Sequence, residues 1–177
     1  RWILALRPKT LPASISPILL GSALAYSEAS FNVLVFIVAL LCAVFLQIAV
    51  NLANDLFDAQ SGVDGVQRLG PVRVAQSGLI SHSKLRIALY STVSIAALLG
   101  LLLCGLSSWW LLLFGLASLL GVFLYSGGPY PLASHGLGEV TVLIFFGWLA
   151  VMGSYFVQTN ALSVLALGYG SVAGLMS

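Results

Sequence analysis

Residues 31–53 read Phe31-Asn-Val-Leu-Val-Phe-Ile-Val-Ala-Leu-Leu-Cys-Ala-Val-Phe-Leu-Gln-Ile-Ala-Val-Asn-Leu-Ala53. No charge interrupts this run, and Asn32, Gln47 and Asn51 are its only clearly polar members. A bilayer-spanning helix needs about 20 consecutive apolar residues, and this stretch supplies them. Nothing in it alternates apolar and polar side chains as a barrel strand would. The composition of the whole chain agrees: 60% of its 177 residues are hydrophobic and 7% charged. Soluble domains carry about a quarter charged residues.

Working outward from this run, five further apolar stretches emerge. Leu11–Tyr26 precedes it; Pro12 suits a first helical turn, and Pro17 is expected to kink the helix. Lys84–Leu106, Trp109–Tyr125 and Val140–Val157 follow, and Leu162–Ser177 starts a sixth. Trp109 and Trp110 fall where an interfacial aromatic belt would sit. The expected fold is an all-α, polytopic membrane helical bundle. Cys42 and Cys104 both lie in apolar runs, which argues against a disulfide or a thiolate metal site. A net charge of +2 without a basic stripe excludes nucleic acid as a partner and leaves the lipid bilayer.

The basic residues orient the bundle. Arg1, Arg7 and Lys9 precede the first span, while Arg68, Arg73, Lys84 and Arg86 separate the second and third. Two crossings lie between these groups, so all seven basic residues fall on one side, the cytoplasmic side by the positive-inside rule. Glu28 falls on the other.

Three of the five acidic residues, Asp55, Asp58 and Asp64, crowd into Asn51–Gly78, where the strongest span leaves the membrane. Ionisable residues at such a boundary are functional candidates by default. If the helix continues past Ala53, then Asn51, Asp55 and Asp58 stack on one face by their spacings of four and three. An amide oxygen and two carboxylates form a hard-oxygen set suited to Mg²⁺. Asn54 pairs with Asp58 at the same spacing, so either asparagine fits the ligand position. Arg68, Arg73 and Gln76 follow among Gly62, Gly65, Gly70 and Gly78, a mixture suited to diphosphate. The alternative is a polar loop whose acids only keep it solvated.

Asn51-Leu-Ala-Asn-Asp-Leu-Phe-Asp58 at the end of a second span resembles the first aspartate-rich motif of the UbiA superfamily of intramembrane aromatic prenyltransferases. Leu6-Arg-Pro-Lys-Thr-Leu-Pro12 is similar to the family's opening segment. Arg68-Leu-Gly-Pro-Val-Arg-Val-Ala-Gln-Ser-Gly78, Gly136-Leu-Gly-Glu-Val140 and Phe145-Phe-Gly-Trp148 resemble the branch that prenylates 1,4-dihydroxy-2-naphthoate in menaquinone biosynthesis, the MenA type. The resemblance covers essentially the whole chain. It implies nine transmembrane helices around a central cavity, and two Asp-rich motifs that bind Mg²⁺ and a polyprenyl diphosphate. It also implies an aromatic acceptor, dihydroxynaphthoate, that gains the prenyl group and loses CO₂. Asp55 and Asp58 become the expected catalytic acids of an inner-membrane enzyme.

Some family members carry a further aspartate at the position of Gly62, which leaves Asp64 without a settled role. The second Asp-rich motif is expected beyond Ser177. Residues 1–177 therefore read as the N-terminal part of one transmembrane domain, expected to be inactive alone. Glu139, at the start of the fifth span, is either a substrate-pocket acid or an ordinary N-terminal glutamate favoured by the helix dipole. Tyr125 either lines the cavity, where its ring could stabilise a cation, or belongs to the interfacial belt. Arg7 either reaches the diphosphate or anchors the first helix. A phosphatidyltransferase fits less well, because Ala59 follows Asp58 and later aspartates at four-residue spacing are missing. A cation-coupled transporter would place its ionisable groups near the midplane.

Overall fold

In the computed structural model, which describes residues 1–61 and 74–176, the described residues form helices joined by turns, with no strand. A short helix α1 (Trp2–Leu6) and a 3₁₀ turn (Pro8–Thr10) lead into α2 (Leu11–Ser27). There follow α3 (Val33–Ser61), α4 (His82–Leu106), α5 (Leu111–Ser126), α6 (Gly138–Thr159) and α7 (Val164–Leu175). Three of these, α3, α4 and α6, are long and apolar enough to cross a membrane. The outward faces of α4 and α5 carry leucines that a soluble protein would bury: Leu98 of α4 and Leu116 and Leu120 of α5 are each about three-fifths exposed or more. Lipid is the solvent that accepts such a surface. The architecture is a membrane helical bundle.

The six spans coincide with the expected ones to within a few residues at each end. Two features differ in kind. Helix α3 runs well beyond Ala53, so the residues 51–58 are helical, the condition on which the one-faced reading depended. Helix α6 opens into a π-helical stretch over Leu143–Leu149. Such stretches are rare and concentrate at functional sites. Pro17 stands inside α2, which continues through it.

Helix α3 is central. It packs most extensively on α4 and also against α2 and α5, and the second half of α6 packs on α2. Small residues bring helices close together where lipid supplies no hydrophobic drive between them. A Cβ on Gly21 of α2 would lie 2.3 Å from the Val151 carbonyl oxygen of α6. One on Gly147 would lie 2.4 Å from the Gly170 carbonyl of α7. The Gly170-Ser-Val-Ala-Gly174 pattern thus serves contact within the chain.

Two apolar clusters bracket the bundle. At the Asp55 end, Leu52 and Leu56 of α3 pack with Leu85 and Leu89 of α4 and with Val74 and Ile80. At the other end, Ile18, Val38, Leu103, Leu111 and Phe156 form the second cluster. Polar side chains tie the connections at that second end. The Asn32 N–H donates to Gln158 Oε1 at 2.8 Å, and Gln158 Nε2 donates to the Asn32 carbonyl at 3.1 Å. The Tyr155 hydroxyl donates to Glu28 at 2.6 Å, and Ser107 donates to Asn160 at 3.0 Å. Trp109 and Trp110 are both exposed there, consistent with an interfacial position.

Candidate active site

Between the two clusters lies a cavity of about 370 Å³, within the size range of small-molecule sites. Helices α2 to α6 all line it. Along α3 it extends from Ala39 to Asn54, about 22 Å at the α-helical rise. One end is polar, with Arg7, Thr10, Gln47, Asn51, Asn54 and Tyr125. The opposite end is apolar, with Ile18, Ala39, Leu103, Leu111, Phe114 and Val157. Arg7 is the only charged side chain among the described residues that line it. The π-helical stretch turns Phe145 and Phe146 towards the cavity while Gly147 meets α7.

Four of the residues singled out from the sequence meet at this polar end: Arg7, Asn51, Asn54 and Tyr125. Asn51 is buried, and its Nδ2 donates to the Leu6 carbonyl and to Thr10 Oγ1, both at 2.9 Å. Its Oδ1 accepts from Gln47 Nε2 at 3.3 Å, an i,i+4 pair along α3. Asn54 Oδ1 accepts from the Ser126 hydroxyl at 2.5 Å, which ties the end of α5 to α3. The two asparagines are therefore distinct. Asn51 clamps the segment that enters α2, and Asn54 faces the cavity and α5.

Asp55 is 1% exposed, and its Oδ2 accepts the Val74 N–H at 3.1 Å. The carboxylate thus caps the point where the described chain resumes against α3. Asp58 is half-buried a turn further along. Neither acid lines the cavity; both stand beyond its polar end, on the stretch of α3 that extends past Ala53. Gln76 sits in an exposed turn, and Glu139 is exposed in the first turn of α6, where the helix dipole favours an acid. Neither of them contributes to the cavity wall. Asp64, Arg68 and Arg73 lie outside the described residues.

Among the described residues no group of three or more His, Cys, Asp or Glu side chains is arranged to hold a metal ion. The donor chemistry still suits one. Asp55 and Asp58 supply two carboxylates, and Mg²⁺ typically takes one or two from a protein and completes its shell with waters and phosphate oxygens. Asn51 can add its Oδ1, the amide's one lone-pair donor to a cation, which already accepts from Gln47.

Reading the sequence missed Thr10 and Gln47 as site residues. Gln47 had a signal: a polar residue within an apolar run, four before Asn51. Thr10 had none beyond its place in the opening segment, since its partners lie far away in sequence.

A cavity inside a membrane bundle that is polar at one end and apolar over the rest can take an amphiphile with a polar head and an apolar tail. The chain belongs to the UbiA prenyltransferase family, whose model matches residues 14–177. It is 39% identical to the 1,4-dihydroxy-2-naphthoate octaprenyltransferase of Escherichia coli, covering 99% of this chain and 59% of that protein. It is 37% identical to the protein of the same name from Bacillus subtilis, over 91% of this chain and 52% of the relative. The UbiA prenyltransferase domain-containing protein 1 of Danio rerio is 37% identical over 95% of this chain and 50% of its own length. The chain thus spans between half and three-fifths of these curated relatives.

Proposed function

We propose that the full-length protein transfers a polyprenyl group from a polyprenyl diphosphate to 1,4-dihydroxy-2-naphthoate, giving demethylmenaquinol, the reduced form of demethylmenaquinone, for menaquinone biosynthesis. The observation that carries this reading is the cavity, about 22 Å along α3 in all, polar at the Asn51 end and apolar over the rest, in a chain whose relatives bear the naphthoate name. The apolar length suits an isoprenoid tail, and the polar end suits its diphosphate.

The bond between prenyl C1 and the diphosphate oxygen breaks, and the diphosphate leaves with the electron pair. The electron-rich ring carbon bearing the carboxylate bonds to C1. The ring–carboxylate bond then breaks, CO₂ leaves, and its electron pair restores aromaticity. Diphosphate departure sets the main electrostatic demand, so charge complementary to the leaving group lowers the barrier most. Asp55 and Asp58 would hold Mg²⁺, with Asn51 Oδ1 a further candidate ligand, and the bound ion would supply positive charge against the diphosphate. Arg7 adds a guanidinium at the polar end, and Arg68 and Arg73 are further candidates for phosphate oxygens. Tyr125 and the Phe145–Phe146 pair present aromatic rings to the allylic cation. The apolar body excludes the water that would otherwise capture it.

Membranes containing the full-length protein, given dihydroxynaphthoate and a mixture of prenyl diphosphates, should yield prenylated, decarboxylated naphthoquinol by mass spectrometry. A hydroxybenzoate product in place of it would refute the acceptor assignment.

We also place the protein in the cell inner membrane with the Asp55 end facing the cytoplasm, on the strength of the basic residues at that end. Ser30 and Ser134 lie at opposite ends of the bundle. In intact cells Ser30→Cys should react with an impermeant maleimide and Ser134→Cys only after permeabilisation; the reverse pattern would invert the topology.

A further inference from the structure

Arg7 adopts φ 48° and ψ 68°, the left-handed region that a non-glycine residue occupies at a cost. Such a conformation persists where the surroundings over-determine it, and it is often found where function needs it. The surroundings are unusually specific. The Arg7 carbonyl accepts from both the Thr10 N–H and the Thr10 hydroxyl, each at 2.9 Å. The same hydroxyl accepts from Asn51 Nδ2 at 2.9 Å and from Gln47 Nε2 at 3.3 Å. A threonine hydroxyl has one hydrogen to give and two lone pairs to receive, so Thr10 Oγ1 is saturated. Asn51 Nδ2 spends its second hydrogen on the Leu6 carbonyl, next to Arg7. Gln47 spends its second on Asn51 Oδ1.

Three of these bonds, from Asn51 Nδ2 to Leu6 and Thr10 and from Gln47 Nε2 to Thr10, join the segment before α2 to the face of α3 that lines the cavity. Gln47 and Asn51 are buried, so each bond is made where water competes poorly. The orientation of the Asn51 amide follows: Nδ2 is turned to Leu6 and Thr10, and Oδ1 to the opposite side, where one lone pair stays available beside the Gln47 bond. The same hydroxyl, together with the Thr10 N–H, fixes the Arg7 carbonyl and so the backbone from which the guanidinium extends.

We propose that Thr10 is a positioning residue for prenyl transfer: its hydroxyl, supported by the Gln47 amide, holds Arg7 and Asn51 so that the guanidinium is presented to the donor's diphosphate and Asn51 Oδ1, an acceptor, to the Mg²⁺ that accompanies it. The proposal rests on the prenyltransferase reading above. Thr10 touches neither donor nor acceptor in this scheme and acts through its two partners.

The test uses full-length protein in detergent with Mg²⁺ and two probes, farnesyl S-thiolodiphosphate, which cannot ionise readily, and farnesol, which lacks the diphosphate. Thr10→Val keeps the shape of the side chain and removes the hydroxyl; Thr10→Ser keeps the hydroxyl and removes the methyl. Thr10→Val should weaken thiolodiphosphate binding by about tenfold, the size of a lost buried hydrogen bond, with farnesol binding unchanged. Thr10→Ser should recover most of that loss. Three results would overturn the proposal: Thr10→Val binding like wild type, Thr10→Ser as impaired as Thr10→Val, or equal weakening for both probes, which marks general damage to the cavity. Wild-type protein that binds farnesol but no thiolodiphosphate would sink the diphosphate reading itself and the proposal with it.

Discussion

The acids at residues 55 and 58 share a helix face and differ in what else they do. Asp55 is buried and accepts the Val74 N–H, so removing its carboxylate leaves that donor without its acceptor. An unsatisfied buried donor costs about 1–3 kcal/mol. Asp58 is half-buried. In the full-length protein, Asp55→Ala and Asp58→Ala should each lower Mg²⁺-dependent turnover by about a hundredfold or more, as expected for loss of charge stabilisation at the leaving group. Asp55→Ala should in addition lower the melting temperature by several degrees. Turnover assays beside thermal unfolding in detergent separate the two roles. Retained activity in both variants would return the acids to mere solvation of the helix end.

At the scale of elements, the contact between α6 and α7 depends on glycine. A Cβ on Gly170 would lie 2.9 Å from the Gly147 carbonyl oxygen, whereas one on Gly168 meets open space. Gly170→Ala must push the two backbones apart and should cost about 1–3 kcal/mol, the usual range for overpacking. Gly168→Ala should be neutral, or stabilising by up to about 1 kcal/mol from helix propensity alone. Thermal unfolding of the pair measures the difference, and equal melting temperatures would show that α6 and α7 do not approach this closely. The π-helical stretch belongs to this scale as well, because it faces the cavity with Phe145 and Phe146 and faces α7 with Gly147.

For the whole molecule, the cavity is the feature that all of the helices α2–α6 build together. Gly115 of α5 lines it, and a Cβ there meets nothing within 4 Å. Gly115→Phe should therefore place its ring in the cavity and displace no neighbour. The expected outcome is loss of prenyl transfer by about tenfold or more with the melting temperature retained, since a bulky ring occupies volume the substrate needs. A variant with full activity would show that the substrate takes another path. The second apolar cluster, with Phe114 stacked on Phe156 at a centroid separation of 5.8 Å, forms the far end of the cavity.

The number and position of the membrane spans were legible without any structure, because hydropathy is a local property and a bilayer imposes a nearly fixed length on each crossing. The Asn51–Asp58 face was legible for a similar reason: helical spacing converts sequence separation directly into direction. Tertiary structure alone decided which asparagine serves which neighbour, since Asn51 meets Leu6 and Thr10 across 45 and 41 residues while Asn54 meets Ser126 across 72. It also placed Glu139 and Gln76 away from the cavity wall and Arg7 upon it. Hydrogen bonds between distant segments leave no periodic trace in a sequence. Their partners are chosen by how the helices pack, and here that packing depends on glycines that admit close contact and on one threonine hydroxyl with every hydrogen-bonding position filled.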